Sequence, residues 1–204
     1  MKSCAFYSFF ILLPFSVFCQ WNPSPTDSRL LNTKLSSFPS APNNIYLFEI
    51  KKDTAAFDMI VTLNKCDPDI QFFYKIPEKL KEGNILITSE AKRKATKYLT
   101  EFESFEDSIF TNKSALWLSN NNMTELLLLK ETTMDMGNGM EIFYKRKTSI
   151  LKINYKGKEK IITVFNIENS GAKGKIQFAV LSDQRNAMIV KFDAPFSMLL
   201  KEVR

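Results

Sequence analysis

The sequence predicts an α+β, mainly antiparallel β protein: a β-clam or half-barrel with one or two short helices, a sandwich being the alternative. Three observations predict it. Short runs rich in β-branched and aromatic residues recur from Ile45 to the end, 18 Phe stand against 6 Gly, and brief polar or glycine-containing links suited to hairpins join the runs. With 204 residues the chain can bury one sizeable core.

The elements follow in order. Residues 1–19 read as a secretory signal peptide: Lys2, an apolar run from Ala5 to Phe18 broken by Pro14, then Val17 and Cys19 ahead of a cleavage before Gln20. The run is short of the ~20 apolar residues that span a bilayer. In a competing reading Cys19 itself is lipidated and anchors the chain, although Phe18 sits where a lipobox wants a small residue. Residues 20–44 carry four of the eight prolines without a sustained period and read as a flexible arm. A single β-rich domain is expected over 45–204.

Within it, "IYLFEIK" (45–51), "FDMIVTLNK" (57–65) and "IQFFYKI" (70–76) form an expected antiparallel meander, followed by "NILIT" (84–88). Ser89 is placed to cap a helix whose apolar positions are Ala91, Ala95, Tyr98, Leu99 and Phe102, and a second helix is expected at "NNMTELLLLKE", capped near Asn121 or Asn122. The Leu126–Leu129 run also suits a buried strand. The last third reads as six successive strands, "EIFYKRKT", "ILKINYK", "EKIITVFNIE", "GKIQFAVLS", "AMIVKFD" and "FSMLLKEV".

Composition removes whole chemistries. There is no histidine, so Ser-His-Asp and Cys-His catalysis and histidine-ligated zinc, copper or iron are excluded. Cys4 and Cys19 leave with the signal peptide, and Cys66 alone has no intramolecular disulfide partner. The charge of +6 reads as scattered: "AKRKATKY", "YKRK" and "YKGKEK" are expected on separate elements without a nucleic-acid motif, which argues against a nucleic-acid partner. No metal ligand set and no cofactor motif is found; "DPD" (67–69) is too short for an EF-hand loop.

Two constellations carry candidate chemistry. In "TMDMGNGM" (133–140), Asp135 lacks the neighbouring Thr or Ser and the second copy that an aspartic-protease dyad needs, and the glycines lack the GxxxxGK pattern of a phosphate cradle. A hairpin is the better account, with Gly137, Asn138 and Gly139 reversing the chain, Asn138 exposed at its tip, and Met134, Met136 and Met140 packed beside it. Glu101, Glu103, Glu106 and Asp107 would serve a carboxylate-dependent hydrolase but suit a solvated segment as well. Phe72, Tyr74, Trp117 and Phe178 lie on strand-like segments that a curved sheet could gather into a concave apolar binding face, with core packing as the plainer role.

From about Phe57 onward the pieces "MIVTL", "PDIQFFYKI", "EGNILITSEA", "ALWLS", "TTMDMGNG" and "AVLSDQRNAMIVKF" resemble uncharacterised exported Bacteroidetes proteins. The ending is similar to the "WLSDD-R-PV" pattern of a broader envelope family with a β-clam fold, departing from it at Ala179, Gln184 and Ala187. The resemblance implies secretion and antiparallel β architecture, and carries over no catalytic residue. It also implies that "DTA" (53–55) and "DSI" (107–109) resemble that phylum's O-glycosylation tripeptide, with Thr54 and Ser108 as acceptors. The expected role is non-enzymatic binding of an apolar molecule or envelope component, in the periplasm or outside the cell. An interaction subunit of an envelope complex and a hydrolase are the alternatives.

Overall fold

Strict alternation of buried and exposed side chains builds the first half of the sheet. In the computed structural model, which describes residues 38, 40–100, 107–171 and 174–204, strands β1 (Ile45–Lys52), β2 (Ala55–Lys65), β3 (Ile70–Ile76) and β4 (Lys81–Ile87) form an antiparallel meander. Phe48, Met59, Val61, Phe72 and Tyr74 are turned to the same interior and are fully buried, as the two-residue period requires. The expected signal peptide with Cys19, and residues 20–37 of the expected arm, lie outside the described residues, as do Glu101, Phe102, Glu103 and Glu106.

After β4 come helix α1 (Ser89–Lys94), β5 (Lys97–Leu99), β6 (Ser108–Phe110), β7 (Lys113–Ala115), helix α2 (Asn120–Leu128) and β8 (Glu131–Asp135). The remaining strands are β9 (Met140–Tyr155), β10 (Lys158–Asn169), β11 (Gln177–Leu181), β12 (Ile189–Asp193) and β13 (Ser197–Val203). All the described strands belong to one sheet in the order β6, β4, β3, β2, β1, β13, β12, β11, β10, β9, β8, β5, β7. It is mostly antiparallel; β4 with β6, and β5 with β7 and β8, pair in parallel. Two features make it curl. The outermost strands β6 and β7 are only two residues apart in sequence, and the end of β13 also pairs with β9, through Glu202 with Asn154 and Val203 with Tyr155. The chain is thus α+β and mainly antiparallel β with two short helices, built on one curled sheet whose buried faces merge into a single contiguous core.

Several expectations are corrected in detail. Phe38, in the stretch expected to be an arm, is fully buried against Tyr46 and Tyr155, because its aromatic ring is large enough to anchor the chain there. Helix α1 stops at Lys94 rather than reaching Phe102, and Thr88, not Ser89, caps it, its Oγ1 accepting from Ala91 N at 3.3 Å. Tyr98 is instead placed on β5, where its hydroxyl is bound in the interior; tertiary hydrogen bonding overrides the helical period. In α2 the cap is Ser119, and Leu126 is buried while Leu128 is 75% exposed, so the leucine run is helical and not a strand.

"EIFYKRKT" and "ILKINYK" are one 16-residue strand, β9. The break in their alternation is a bulge against β10 between Phe165 and Ile167, where Asn166 Nδ2 donates to Lys147 O at 2.8 Å and to Ser149 Oγ at 2.9 Å. The basic runs "YKRK" and "YKGKEK" consequently share the β9–β10 hairpin instead of occupying separate elements.

Candidate functional site

A cleft of about 670 Å³ opens where four connections converge: the chain leading into β1, the β2–β3 loop, the two helices, and the turn between β11 and β12. Leu63, Ile70 and Trp117 supply its apolar wall. Lys92 and Arg185 bring positive charge, Asp67 and Asp183 negative charge, and Ser40, Asn120 and Asn186 neutral polar groups. This mixture of apolar wall and convergent polar groups is the usual character of a small-molecule site.

Each polar group has a local cause for its position. Lys92, in the last turn of α1, reaches across to the β2–β3 loop and donates to Cys66 O at 2.7 Å and to Asp67 Oδ1 at 3.0 Å. The loop is held further by Asp69, whose Oδ1 accepts from Ser89 N at 2.8 Å and whose Oδ2 accepts from Lys65 Nζ at 3.0 Å. The Lys65 hydrogen bond, then that of Ser89, holds the Asp69 carboxyl below the usual aspartate range. Cys66 Sγ lies 3.6 Å from Ser40 O, a weak donor contact.

Asn186 is the hub of the floor. Its Oδ1 accepts from Trp117 Nε1 at 3.0 Å and from Ser40 Oγ at 2.5 Å, while its Nδ2 donates to Phe38 O at 3.0 Å. One buried amide therefore fixes the indole, the turn at Gln184–Asn186 and the entering chain together. Asp183 starts that turn by accepting from Arg185 N at 2.9 Å. Arg185 is exposed and, among the described residues, forms no ion pair, which leaves its guanidinium available at the rim.

Beneath the helices lies a second polar cluster. Tyr98 Oη donates to Asn122 Oδ1 at 2.6 Å and accepts from Ser119 N at 2.9 Å; Ser119 Oγ also reaches Asn122 Oδ1 at 2.8 Å. Asn122 Nδ2 donates to Thr132 Oγ1 at 2.6 Å, and Thr132 in turn donates to Glu125. Burial pushes the Tyr98 hydroxyl up to about 12, against the lowering effect of Ser119. It is neutral throughout the physiological range and serves to lock α2 onto β5 and β8.

The sequence-predicted aromatic face does not assemble at this cleft. Trp117 alone lines it; Phe72 packs behind the indole with ring centroids 5.5 Å apart, and Tyr74 is fully buried in β3. Phe178 pairs instead with Phe143 at 5.8 Å in the other half of the sheet. These three residues fill the core. Thr54 is exposed in the reversal between β1 and β2, whereas Ser108 is half-buried in β6 beside β4.

A scan of protein-family models and searches of curated proteins and of solved structures each found no match. The cleft is accordingly read from its own chemistry.

Asp135 is engaged as a turn-builder: its Oδ1 accepts from Gly137 N and Gly139 N, each at 2.9 Å, and both glycines have positive φ. Met134 and Met136 are buried and Asn138 is exposed as expected, but Met140 is 48% exposed, because the first residue of β9 points to the solvent face. Asp107 Oδ1 accepts from Asn84 N at 2.7 Å and Asn84 Nδ2 at 3.1 Å, tying β4 to the chain ahead of β6. Among the described residues no three acidic or thiol groups cluster to hold a metal ion, and no helix is long and apolar enough to cross a membrane.

Sequence reasoning missed the cleft itself. "SDQRN" reads as a plain hairpin turn, and nothing in it signals that Asn186 is buried.

Proposed function

We propose that the chain is an exported, non-enzymatic binding protein whose cleft holds a small amphipathic molecule. The observation that carries the reading is the juxtaposition of Trp117, Leu63 and Ile70 with Arg185, which forms no ion pair among the described residues, at the rim of one space of about 670 Å³. The apolar body of the ligand lies on the indole, and an anionic or strongly polar head meets the guanidinium, whose fork suits a carboxylate or phosphate. Export rests on the N-terminal pattern, and the Bacteroidetes resemblance accords with it.

Native mass spectrometry of protein purified from its own cells tests the reading. A small-molecule adduct is expected on the wild type and is expected to be lost from Arg185→Glu. A clean apo mass for both proteins, or the same adduct on both, overturns it.

A carboxylate-dependent hydrolase is the second reading, favoured by Asp67 and Asp183 lining the same cleft. Both acids already have structural work, one against Lys92 and the other capping the Gln184–Asn186 turn, so binding accounts for the site better.

A further inference from the structure

Strand β9 is longer than the strands that cover one of its edges. On one side β10 accompanies it over residues 143–155. On the other side β8 pairs only with residues 140–144, Lys145 N donates to Lys130 O at 2.7 Å, and β13 pairs only at Asn154 and Tyr155. Over residues 146–153 this outer edge has no strand partner among the described residues, a gap of roughly 26 Å at the usual strand rise. None of these residues lines the cleft.

The register fixes which backbone groups face the gap. Ser182 N donates to Thr163 O at 3.2 Å, so the Thr163 backbone is turned toward β11. Thr163 stands opposite Ile150; in an antiparallel ladder these two form a pair without mutual hydrogen bonds, and the N–H and C=O of Ile150 point to the outer edge. The two-residue alternation gives Thr148 and Lys152 the same direction, and Asn154, next in the series, is where β13 pairs. Thr148, Ile150 and Lys152 therefore present a row of backbone donors and acceptors ready for one more strand. Their side chains are exposed, Ile150 to 67%, whereas Leu151 and Ile153 on the other face are half-buried and buried.

We infer that this edge binds an extended acidic segment of another protein, which joins the sheet as a strand between β8 and β13. Shape decides against a second copy of this chain. The open stretch of β9 is recessed by one strand width between β8 and β13, and two such recesses cannot meet, whereas a segment of about six residues whose ends lift away fits one. Charge points the same way: Lys145, Arg146, Lys147 and Lys152 share this stretch of β9 with no acid, a pattern that deters self-pairing. Among the described residues their counter-charges, Glu168 on Arg146 at 2.7 Å and Glu159 on Lys152 at 3.1 Å, both come from β10, and Lys147 has none. An acidic residue opposite Lys152 and a β-branched one opposite Ile150 complete the cross-strand pairs on the exposed face.

Fluorescence anisotropy with the full chain tests this, the probe being a labelled, end-blocked peptide Thr-Glu-Thr-Val-Thr-Glu-Thr, whose symmetry suits either strand direction. Saturable binding is expected, at least ~10-fold tighter than for the same peptide with lysine in place of glutamate, and the amides of Thr148, Ile150 and Lys152 are expected to exchange at least ~10-fold more slowly when it is bound. Ile150→Pro removes an outward N–H without touching the bonds to β10 and is expected to weaken binding about 10-fold. Lys152→Glu, which leaves the backbone alone, is expected to do the same and keeps the test intact if circular dichroism shows that the proline perturbs the fold. Equal affinity for the two peptides, no saturable binding of the acidic one, or unchanged binding by Lys152→Glu overturns the inference. So does a dimer in sedimentation velocity that Ile150→Pro dissociates, which would assign the edge to a second copy.

Discussion

The cleft end and the β9–β10 hairpin use polar side chains in opposite ways. At the cleft end, amides and hydroxyls are buried and bonded to one another: Asn122 and Asn186 are 2% and 3% exposed, and each ties three segments of chain together. On the hairpin, lysines and glutamates stand in solvent, Lys152 and Glu159 each 64% exposed, on a strand pair that backbone bonds already hold. The first arrangement stabilises a shape, since removing one partner strands the others out of water. The second contributes little to folding and is free to serve a surface encounter. Burial, more than the number of polar residues, separates the two.

The largest effect is expected at Asn122. Asn122→Leu takes the acceptor from Ser119 Oγ and the donor from Thr132 Oγ1, while the Tyr98 hydroxyl keeps Ala95 O, and should cost about 3 kcal/mol in urea unfolding. A loss within experimental error would remove the cleft end from the comparison. Asn186→Ala, which strands Trp117 Nε1 and Ser40 Oγ, should cost about 2 kcal/mol and red-shift the fluorescence of Trp117. An unchanged spectrum would mean the amide does not position the indole.

A pH effect comes next. The folded Asp69 carboxyl titrates below its unfolded value, so its contribution to stability is present above about pH 4 and is lost as the pH falls through the lowered folded value. Asp69→Asn should flatten the acid limb of the stability profile while leaving the neutral region little changed. An acid limb as steep as that of the wild type would sink the assignment.

The smallest effect is expected on the hairpin. Lys152→Ala breaks the ion pair with Glu159, both side chains being 64% exposed, and should shift stability by no more than about 0.5 kcal/mol. A loss as large as that of Asn186→Ala would erase the distinction between the two regions.

Much of the sheet was legible in the sequence, for a physical reason. The meander alternates cleanly because one face of each strand is buried, and Gly137 and Gly139 announce a turn because they accept positive φ cheaply. What could not be read depended on distant partners. Tyr98 has helical spacing from Ala91 and Ala95, yet its hydroxyl finds Ser119 and Asn122 and draws the chain into a strand. "YKRK" and "YKGKEK" look separate until the Asn166 bulge joins β9 into one strand. Asn186 and Phe38 are nearly 150 positions apart, and no local pattern reports that they meet.

The most direct measurement is native mass spectrometry of two variants side by side, Arg185→Glu in the cleft and Lys147→Glu with Lys158→Glu on the hairpin, each purified from the protein's own cells. The account predicts that the small-molecule adduct disappears from the cleft variant and persists on the hairpin variant. An adduct retained by both, lost from both, or lost only from the hairpin variant would contradict it.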